Sequence, residues 1–361
     1  MATTTCWGLA FCLGLGQSPP AKDGAASPQN QTEAGSGEPV WQRTVDAQGP
    51  ASIAVGAAHL FVAADGLGLD ALAVADGTVV WSLPVDSPVD LMVADTALLV
   101  VEPTRLRALE QDSGAVRWTV SLPSAGSVVS AHSGRVTVGS GRYLLQATLE
   151  EGTGVWSREL PTPIRITAAG PDGIAVVLAD NSLLVMDPSL GQPHWPTVVV
   201  PTEVQAMTIA EGRVYVAGAD KTLYGYRAAT GRRDWFFPLH ASIAGPPVVD
   251  RRHVYVALFD NTLRAFDRSS GNRRWWVPLP ARPTDGPDLV GQDLFVPLTS
   301  GGVSHARASG TGPVRRIPER QAGVADAVRL EAGGVLADGK AVFTLTMGLD
   351  RVRTLAVWPR P

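Results

Sequence analysis

The repeat that decides the fold is clearest in the stretch DRSSGNRRW, residues 267–275, where Gly271 stands four residues before Trp275. The same glycine–tryptophan pair occurs seven times, and consecutive tryptophans are 37 to 40 residues apart. The pairs are Gly37/Trp41, Gly77/Trp81, Gly114/Trp118, Gly152/Trp156, Gly191/Trp195, Gly231/Trp235 and Gly271/Trp275. A regular period of this length is typical of repeat architectures, in which each period is one supersecondary unit.

Each unit contains short runs in which apolar residues alternate with others. One unit reads RVYVA at residues 213–217 and TLYGY at residues 222–226, and then a turn with Gly231 leads to Trp235. The next unit, residues 253–275, follows the same order. Frequent β-branched and aromatic residues favour strands, and a further apolar strand opens each unit. The pattern predicts four short antiparallel strands per unit, which is the blade of a β-propeller.

The glycine and the tryptophan each have a physical reason to recur. A tight turn between the third and fourth strands needs a residue that tolerates a positive φ, and glycine does so without strain. A tryptophan early in the fourth strand is large and flat. We therefore expect it to cover the joint between neighbouring blades and to donate its indole N–H to a main-chain carbonyl.

The number of units predicts a closed ring. A degenerate unit at residues 288–317 keeps its glycine turn but lacks the tryptophan, and residues 327–358 supply three further strands. The strand of Trp41 has no strands of its own before it. We expect this strand to complete the last blade, since pairing there removes an exposed sheet edge. The prediction is an all-β, eight-bladed propeller of four-stranded antiparallel blades closed by the N-terminal strand, with seven blades as the alternative.

Composition excludes several classes of protein. The chain has 361 residues, of which 45% are hydrophobic, enough for a large core, and its net charge of −4 argues against a protein that wraps nucleic acid. Its two cysteines, Cys6 and Cys12, both lie near the start, so the repeats contain neither a disulfide nor a cysteine-based zinc site.

The N-terminal residues predict export. Residues 1–16 form an apolar run like that of a signal peptide, and residues 17–39 form a Pro-, Gly- and Ser-rich tether ahead of the propeller domain at residues 40–361. The sequence LAFC ending at Cys12 is close to a bacterial lipobox, although Phe11 stands where a small residue is usual. Lipid attachment at Cys12 is one alternative, and an unprocessed hydrophobic N-terminus is the other.

The turn motif (Asp/Glu)-x-x-Ser-Gly-x-x-x-Trp, at residues 110–118 and 267–275, resembles the pyrroloquinoline-quinone-type repeat with its tryptophan-docking motif. The resemblance covers about Trp41 to Trp358 and implies a propeller. One branch of that superfamily contains quinoprotein alcohol and glucose dehydrogenases. The other contains the propeller lipoprotein subunit of the outer-membrane β-barrel assembly machinery, which implies a non-enzymatic role and docking on the central barrel protein. The repeat identifies the fold better than the function.

The enzyme branch fits the sequence poorly. The resemblance implies adjacent cysteines over the quinone and a metal set of acids and asparagine, but no cysteine follows Cys12. His59 and His253 share a position before the second strand, where we expect exposed turn histidines. Acids and amides recur in one equivalent turn of three successive units: Asp180, Asn181, Asp220, Asp260 and Asn261. We interpret these as turn residues, with a ring of carboxylates around the channel as the alternative, and we predict no catalytic, cofactor-binding or metal-binding residues.

Positive charge is concentrated late in the chain. Residues 227–329 contain 15 arginines and 9 acidic residues, whereas the remaining residues carry a net charge of −10. The arginine pairs should cluster on one sector of the ring and meet an acidic protein or anionic headgroups, with a solvated face as the alternative. Trp276 has no counterpart in other units and is either an exposed interface anchor or buried. The candidate partner-binding residues are Arg232, Arg233, Arg251, Arg252, Arg273, Arg274 and Trp276.

These observations favour a non-enzymatic, monomeric, protein-binding scaffold of the bacterial cell envelope. It would be periplasmic or lipid-anchored to the outer membrane, and it would assist outer-membrane protein assembly as a partner of the barrel-assembly complex. We expect no cofactor and no nucleic-acid partner. A quinone- or metal-dependent oxidoreductase and a sensor that binds a small ligand in the channel are the alternatives.

Overall fold

Eight four-stranded antiparallel sheets, each one blade of a ring, make up the structure. It is a computed structural model that describes residues 38–45, 51–64, 67–85, 90–124, 128–317, 329–335, 341–347 and 353–359, and these residues form no helix. The prediction of an eight-bladed propeller is confirmed, and the seven-bladed alternative is wrong. Gly37, Cys12, the signal-like residues 1–16 and the tether up to residue 37 lie outside the described residues.

The first four blades follow each other along the chain, from the innermost strand to the outermost. Blade 1 contains β2 (Ala51–Val55), β3 (His59–Ala64), β4 (Gly68–Ala73) and β5 (Val79–Leu83). Blade 2 contains β6 (Asp90–Ala94), β7 (Ala97–Val101), β8 (Arg105–Glu110) and β9 (Val116–Ser121). Blade 3 contains β10 (Val128–His132), β11 (Arg135–Ser140), β12 (Tyr143–Thr148) and β13 (Gly154–Glu159). Blade 4 contains β14 (Ile164–Gly170), β15 (Gly173–Leu178), β16 (Ser182–Met186) and β17 (Val198–Val199).

The other blades follow the same order until the last, which takes one strand from the N-terminal end of the fold. Blade 5 contains β18 (Val204–Ala210), β19 (Arg213–Gly218), β20 (Thr222–Arg227) and β21 (Arg233–Pro238). Blade 6 contains β22 (Val248–Val249), β23 (His253–Leu258), β24 (Thr262–Asp267) and β25 (Arg273–Pro278). Blade 7 contains β26 (Asp288–Val290), β27 (Asp293–Leu298), β28 (Gly302–Arg307) and β29 (Arg315–Ile317). Blade 8 contains β30 (Arg329–Val335), β31 (Ala341–Met347), β32 (Arg353–Pro359) and β1 (Trp41–Val45).

The ring is closed by the strand that the sequence leaves without partners. β1 pairs antiparallel with β32, from Trp41 opposite Val357 to Val45 opposite Arg353. The backbone N–H of Val40 extends this ladder by donating to the carbonyl of Val357 at 2.7 Å. The predicted closure by the N-terminal strand is confirmed, and it covers the edge that β32 would otherwise expose.

The core lies between blades. β7, β15 and β27 are buried along their whole length, on both faces of the sheet, because each blade is packed between two neighbours. Tyr215 of blade 5 and Val254 of blade 6, for example, belong to one hydrophobic cluster. Burial on both faces explains why these strands read as nearly continuous apolar runs.

The tryptophans join neighbouring blades through their indole N–H groups. Six of them donate to a carbonyl of the next blade: Trp41 to Val74 (2.8 Å), Trp81 to Gln111 (2.8 Å), Trp118 to Leu149 (2.8 Å), Trp156 to Pro188 (3.1 Å), Trp195 to Ala228 (2.7 Å) and Trp235 to Arg268 (3.0 Å). Trp275 differs, because its buried indole N–H has no acceptor among the residues that the structure describes. The carbonyl of Ala308, in the equivalent position, accepts instead from the Tyr255 hydroxyl at 3.2 Å.

Each turn glycine contacts the tryptophan of the preceding blade, not the one in its own unit. The contacts are Gly77 on Trp41, Gly114 on Trp81, Gly152 on Trp118, Gly191 on Trp156, Gly231 on Trp195, Gly271 on Trp235 and Gly310 on Trp275. A Cβ at any of these glycines would lie 2.5–2.7 Å from the indole ring, and their φ angles are +62° to +72°. The repeat therefore holds one blade against the next.

The alternation of strand direction divides the turns between two faces of the ring. In every sequentially continuous blade, the turn between the first and second strands and the turn between the third and fourth strands lie on one face. We call this the glycine face, because the third–fourth turns hold the glycines that contact tryptophan. The second–third turns and the connections between blades lie on the opposite face.

Candidate functional site

The candidate arginines gather on the glycine face of two neighbouring blades. Two of the pairs open the outermost strands of blades 5 and 6, and the third forms the turn between β22 and β23. We call the set the basic sector: Arg232, Arg233, Arg251, Arg252, Arg273 and Arg274. All are exposed except Arg273, which is half-buried.

In blade 5, three arginines converge on one carboxylate. Asp234 accepts hydrogen bonds from Arg227 at 2.8 Å, from Arg232 at 3.1 Å and from Arg213 at 3.2 Å, and its side chain is only 8% exposed. Burial by itself would raise the pKa of Asp234. The hydrogen bonds and charges of the arginines outweigh that effect and lower it. The cluster keeps a formal excess of positive charge around an ionised aspartate.

Asp234 occupies a position that carries an arginine in two other blades, Arg117 in blade 2 and Arg274 in blade 6. In blades 2, 5 and 6 the outermost strand has a β-bulge just before its tryptophan. The side chain of the bulged residue forms an ion pair with that of the last residue of the third strand. The cross-strand pairs are Glu110–Arg117 at 2.6 Å, Arg227–Asp234 at 2.8 Å and Asp267–Arg274 at 2.5 Å. Blade 5 reverses the order of charge, and this reversal lets Asp234 collect the additional arginines.

In blade 6, the basic sector borders an open cavity of about 410 Å³. Four arginines line it, together with an acid and a histidine: Arg251, Arg252, Arg268, Arg274, Asp267 and His253. Two of the arginines have carboxylate partners, since Arg274 pairs with Asp267 at 2.5 Å and Arg268 lies 3.6 Å from Glu211. Arg268 also donates a hydrogen bond to the Glu211 carbonyl.

The carboxylate of Asp267, which lines this cavity, accepts hydrogen bonds from residues of its own turn. Asp267 accepts from the Ser269 hydroxyl at 2.6 Å and from the Ser270 N–H at 2.9 Å, besides its bond to Arg274. The hydrogen bonds from Ser269 and then from Arg274 hold the pKa of Asp267 far below its usual range. The Asp267 carboxylate is thus ionised and already surrounded by donors.

Three arginines of the basic sector have no carboxylate partner within the part of the chain that the structure describes. Arg251 and Arg252 are exposed at the cavity rim and form no ion pair there. Arg233 lies over two aromatic rings, 5.7 Å from the centre of Tyr224 and 5.2 Å from that of Phe236. These three side chains are available to bind an anionic group.

Trp276 is neither fully exposed, as an interface anchor would be, nor fully buried. It is half-buried and stands opposite Arg264 in the ladder between β24 and β25. The other half of the indole remains at the surface of blade 6.

The recurring acids on the opposite face stabilise their own turns. Asp180 accepts from the Ser182 N–H at 3.0 Å, Asp220 from the Thr222 N–H at 3.2 Å, and Asp260 from the Thr262 hydroxyl at 2.6 Å. Asn181, Lys221 and Asn261 have φ angles of +62° to +63° in these turns. Within the described ranges, no three His, Cys, Asp or Glu side chains come together as metal ligands.

The two equivalent histidines have different environments. His253 is half-buried beside Asp250, with 3.7 Å between His253 Nδ1 and Asp250 Oδ1. His59 is only 9% exposed and packs against Phe61, with 5.9 Å between ring centres. The expectation of an exposed histidine is wrong for His59, because its ring is covered by the aromatic residue two positions along the same strand.

A second acidic feature lies where the innermost strand of blade 7 begins. Asp285 and Asp288 are both exposed to solvent, while one carboxyl oxygen of Asp285 lies against Gly245 of blade 6 and one of Asp288 lies against Gly334 of blade 8. This environment, followed by the charge of Asp285, raises the pKa of Asp288 to about 6. Neither this pair nor the cluster around Asp234 was predicted from the sequence. Only the seven-residue spacing of Arg227 and Asp234 hints at the latter.

Comparison with known proteins gives a family for these repeats. Residues 30–148, 102–208, 145–238 and 202–347 match the family described as outer membrane protein assembly factor BamB. BamB of Yersinia pestis is 24% identical over 212 residues, which are 52% of this chain and 53% of that protein. The chain thus spans about half the length of this curated relative.

Solved structures share the fold at low sequence identity. BamB from Moraxella catarrhalis is 19% identical with a TM-score of 0.62, and the match covers 90% of this chain and 97% of that one. The computationally designed Ika8 protein is 14% identical with a TM-score of 0.72, and the match covers 90% and 100% of the two chains. At these identities the likeness shows the propeller fold alone. Nowhere in the described residues is there a helix long and apolar enough to span a membrane.

Proposed function

The chain belongs to the outer membrane protein assembly factor BamB family, and from that premise we propose that it is a non-enzymatic scaffold of the bacterial cell envelope. In this proposal it binds a protein partner and assists the assembly of barrel proteins into the outer membrane. The observation that carries the proposal is the family match, which runs through residues 30–347 and so through almost all of the repeats.

The architecture suits a scaffold. Each blade is fastened to its neighbour by buried strands, and tryptophan–glycine contacts hold seven of the blade joints. Such a ring can present turns and strand edges in a stable arrangement, because little of its surface has to be ordered when a partner binds. The basic sector on the glycine face is one such surface.

We further propose that the propeller works in the periplasm as a monomer. The signal-like residues 1–16 would direct export, residues 17–39 would tether the ring, and Cys12 would carry a lipid. A lipid at Cys12 would place the ring at the membrane without any spanning segment of its own.

The test is affinity isolation of the tagged full-length chain from the native envelope fraction, with the intact mass recorded on the recovered protein. We expect the central subunit of the barrel-assembly complex to be recovered with it and the mass to show acylation at Cys12. Deleting the gene should also lower the amount of folded barrel proteins in the outer membrane. Recovery of an unacylated protein that carries a bound quinone or metal, with barrel proteins unchanged, would overturn the proposal and favour the oxidoreductase alternative.

A further inference from the structure

We infer that the cavity on blade 6 bordered by Arg251 and Arg252 is a docking site for a carboxylate-rich segment of a partner protein. The inference rests on the proposed scaffold function, since the partner would supply the segment. It adds the place and the chemistry of the contact.

The arginines around the cavity differ in whether their charge is neutralised. Arg268 and Arg274 are held by Glu211 and Asp267, whereas Arg251 and Arg252 have no anionic partner among the residues described. Two adjacent, exposed guanidinium groups without counter-ions attract carboxylates, and each can bind a carboxylate through two parallel hydrogen bonds.

The cavity is already organised by hydrogen bonds within the protein. Bonds to Asp267 and Glu211 fix Arg274 and Arg268 in place. The N–H of Arg252 donates to Asp250 at 2.7 Å, which holds the turn that carries both free arginines. The backbone of this turn and the side chains of Arg268 and Arg274 lose little conformational freedom when a ligand binds. Only the side chains of Arg251 and Arg252 have to be ordered, so more of the interaction energy appears as affinity.

The surroundings of the cavity favour a protein partner over a membrane surface. A lipid surface is bound most strongly where basic residues stand beside apolar side chains that enter the headgroup region. The exposed large apolar side chains of the described chain are Val40, Val79, Val80, Val116, Tyr143, Val155, Leu190, Val199 and Phe236. None of them lines the cavity, and neither does the half-buried Trp276 of the same blade, so the described lining is charged or polar throughout. Such a lining suits a soluble acidic segment.

The experiment measures binding of a fluorescein-labelled hexaglutamate peptide to the full-length protein by fluorescence anisotropy at low ionic strength. A hexaglutamine peptide serves as the uncharged control. The test variant is Arg251→Glu/Arg252→Glu. The matched control is Lys221→Glu/Arg282→Glu, which makes the same change in net charge at two exposed positions on the opposite face. Circular dichroism and the unfolding midpoint verify that both variants are folded, and Arg251→Gln/Arg252→Gln provides a milder change of the site.

We expect hexaglutamate to bind the wild type in a salt-sensitive manner and hexaglutamine not to bind. The Arg251→Glu/Arg252→Glu variant should bind about tenfold more weakly or worse, and the opposite-face variant should bind within about twofold of the wild type. Equal weakening by the two variants would overturn the inference, because it would show only the effect of net charge. Absence of hexaglutamate binding, together with binding of phosphatidylglycerol vesicles that depends on Arg251 and Arg252, would also overturn it in favour of a membrane.

The same variants distinguish failure of the inference from failure of the proposed function. If wild type and Arg251→Glu/Arg252→Glu recover the barrel-assembly complex equally, the scaffold stands and the docking site is wrong. If hexaglutamate binding depends on the two arginines but no assembly complex is recovered, the docking site stands and the proposed function is wrong.

Discussion

Gly271 of blade 6 lies against the indole face of Trp235 of blade 5, so close that a Cβ on the glycine would be 2.6 Å from two ring carbons. The φ of Gly271 is +72°, in the region that glycine enters without strain. Two independent requirements, backbone conformation and space, therefore select glycine at this joint between blades.

Replacing Gly271 with alanine should lower the free energy of unfolding by about 2–4 kcal/mol, because the new methyl group strains the turn and displaces the indole. Chemical denaturation followed by tryptophan fluorescence measures this loss. Gly212→Ala is the matched control, since Gly212 has a φ of +77° but no atom of the described residues within 4 Å of the added Cβ. The control should cost only about 1–2 kcal/mol from backbone strain. Equal losses in the two variants would show that the contact with Trp235 does not stabilise the joint.

Substitutions of Trp235 and Trp275 can be compared directly, because the two indole rings differ in whether their N–H donates a hydrogen bond. Trp235 donates to the Arg268 carbonyl at 3.0 Å, whereas the buried N–H of Trp275 has no acceptor in the described part of the chain. Trp235→Phe should therefore destabilise the protein by about 1–2 kcal/mol more than Trp275→Phe, because only the first change breaks a hydrogen bond and leaves a carbonyl unpaired. The two rings are 8% and 9% exposed, so the packing losses should be similar. Parallel denaturation curves test this, and a larger loss for Trp275→Phe would contradict it.

The architecture could be predicted from the sequence because it depends on a pattern repeated along the chain. Seven spaced tryptophans established the blade, and the unpartnered strand of Trp41 showed where the ring closes. The partner of each glycine could not be found in the same way. Gly271 and Trp275 are neighbours in sequence, yet the ring that Gly271 contacts belongs to Trp235 of the preceding blade.

The candidate site was predictable only in part. The sequence predicts that the arginine pairs lie on blades 5 and 6. It does not predict which of these arginines have a carboxylate partner. Arg232 shares Asp234 with Arg213 and Arg227, whereas Arg251 and Arg252 face a cavity without carboxylate partners in the described structure. Whether an arginine has a carboxylate partner depends on contacts between side chains of separate strands and turns. The spacing of residues along the sequence does not predict these contacts.

The charge cluster of blade 5 predicts a loss of stability when its single carboxylate is neutralised. Asp234→Asn leaves Arg213, Arg227 and Arg232 without their common anion, and we expect a loss of about 1–3 kcal/mol at neutral pH, since the arginines are partly solvated. The pKa of Asp234 is lowered in the folded protein, so its contribution is complete above the ordinary aspartate pKa of 3.8 and is lost as the pH falls through the folded value.

Thermal unfolding of wild type and Asp234→Asn across the acidic range measures this contribution. The difference between the two midpoints should be constant near neutral pH and should shrink below the ordinary aspartate pKa of 3.8. Arg232→Gln is the control, because Arg232 is 67% exposed and should contribute little. A difference for Asp234→Asn that persists unchanged at low pH would argue for a packing effect and against the ion cluster.

Asp288 should produce the opposite dependence on pH. Its pKa is raised from 3.8 to about 6, so the folded state binds more protons than the unfolded state between these values, and stability falls as the pH rises through that window. Asp288→Asn removes this titration. The thermal unfolding midpoint of the variant, relative to that of the wild type, should therefore rise as the pH increases from 3.8 to about 6 and should stay constant above that range. The effect should be small, since the side chain is solvent-accessible. Asp76→Asn is the control, because the pKa of Asp76 is lowered and its carboxyl therefore titrates below this pH range. An Asp288→Asn curve parallel to that of the wild type would show that the Asp288 carboxyl titrates normally in the folded ring.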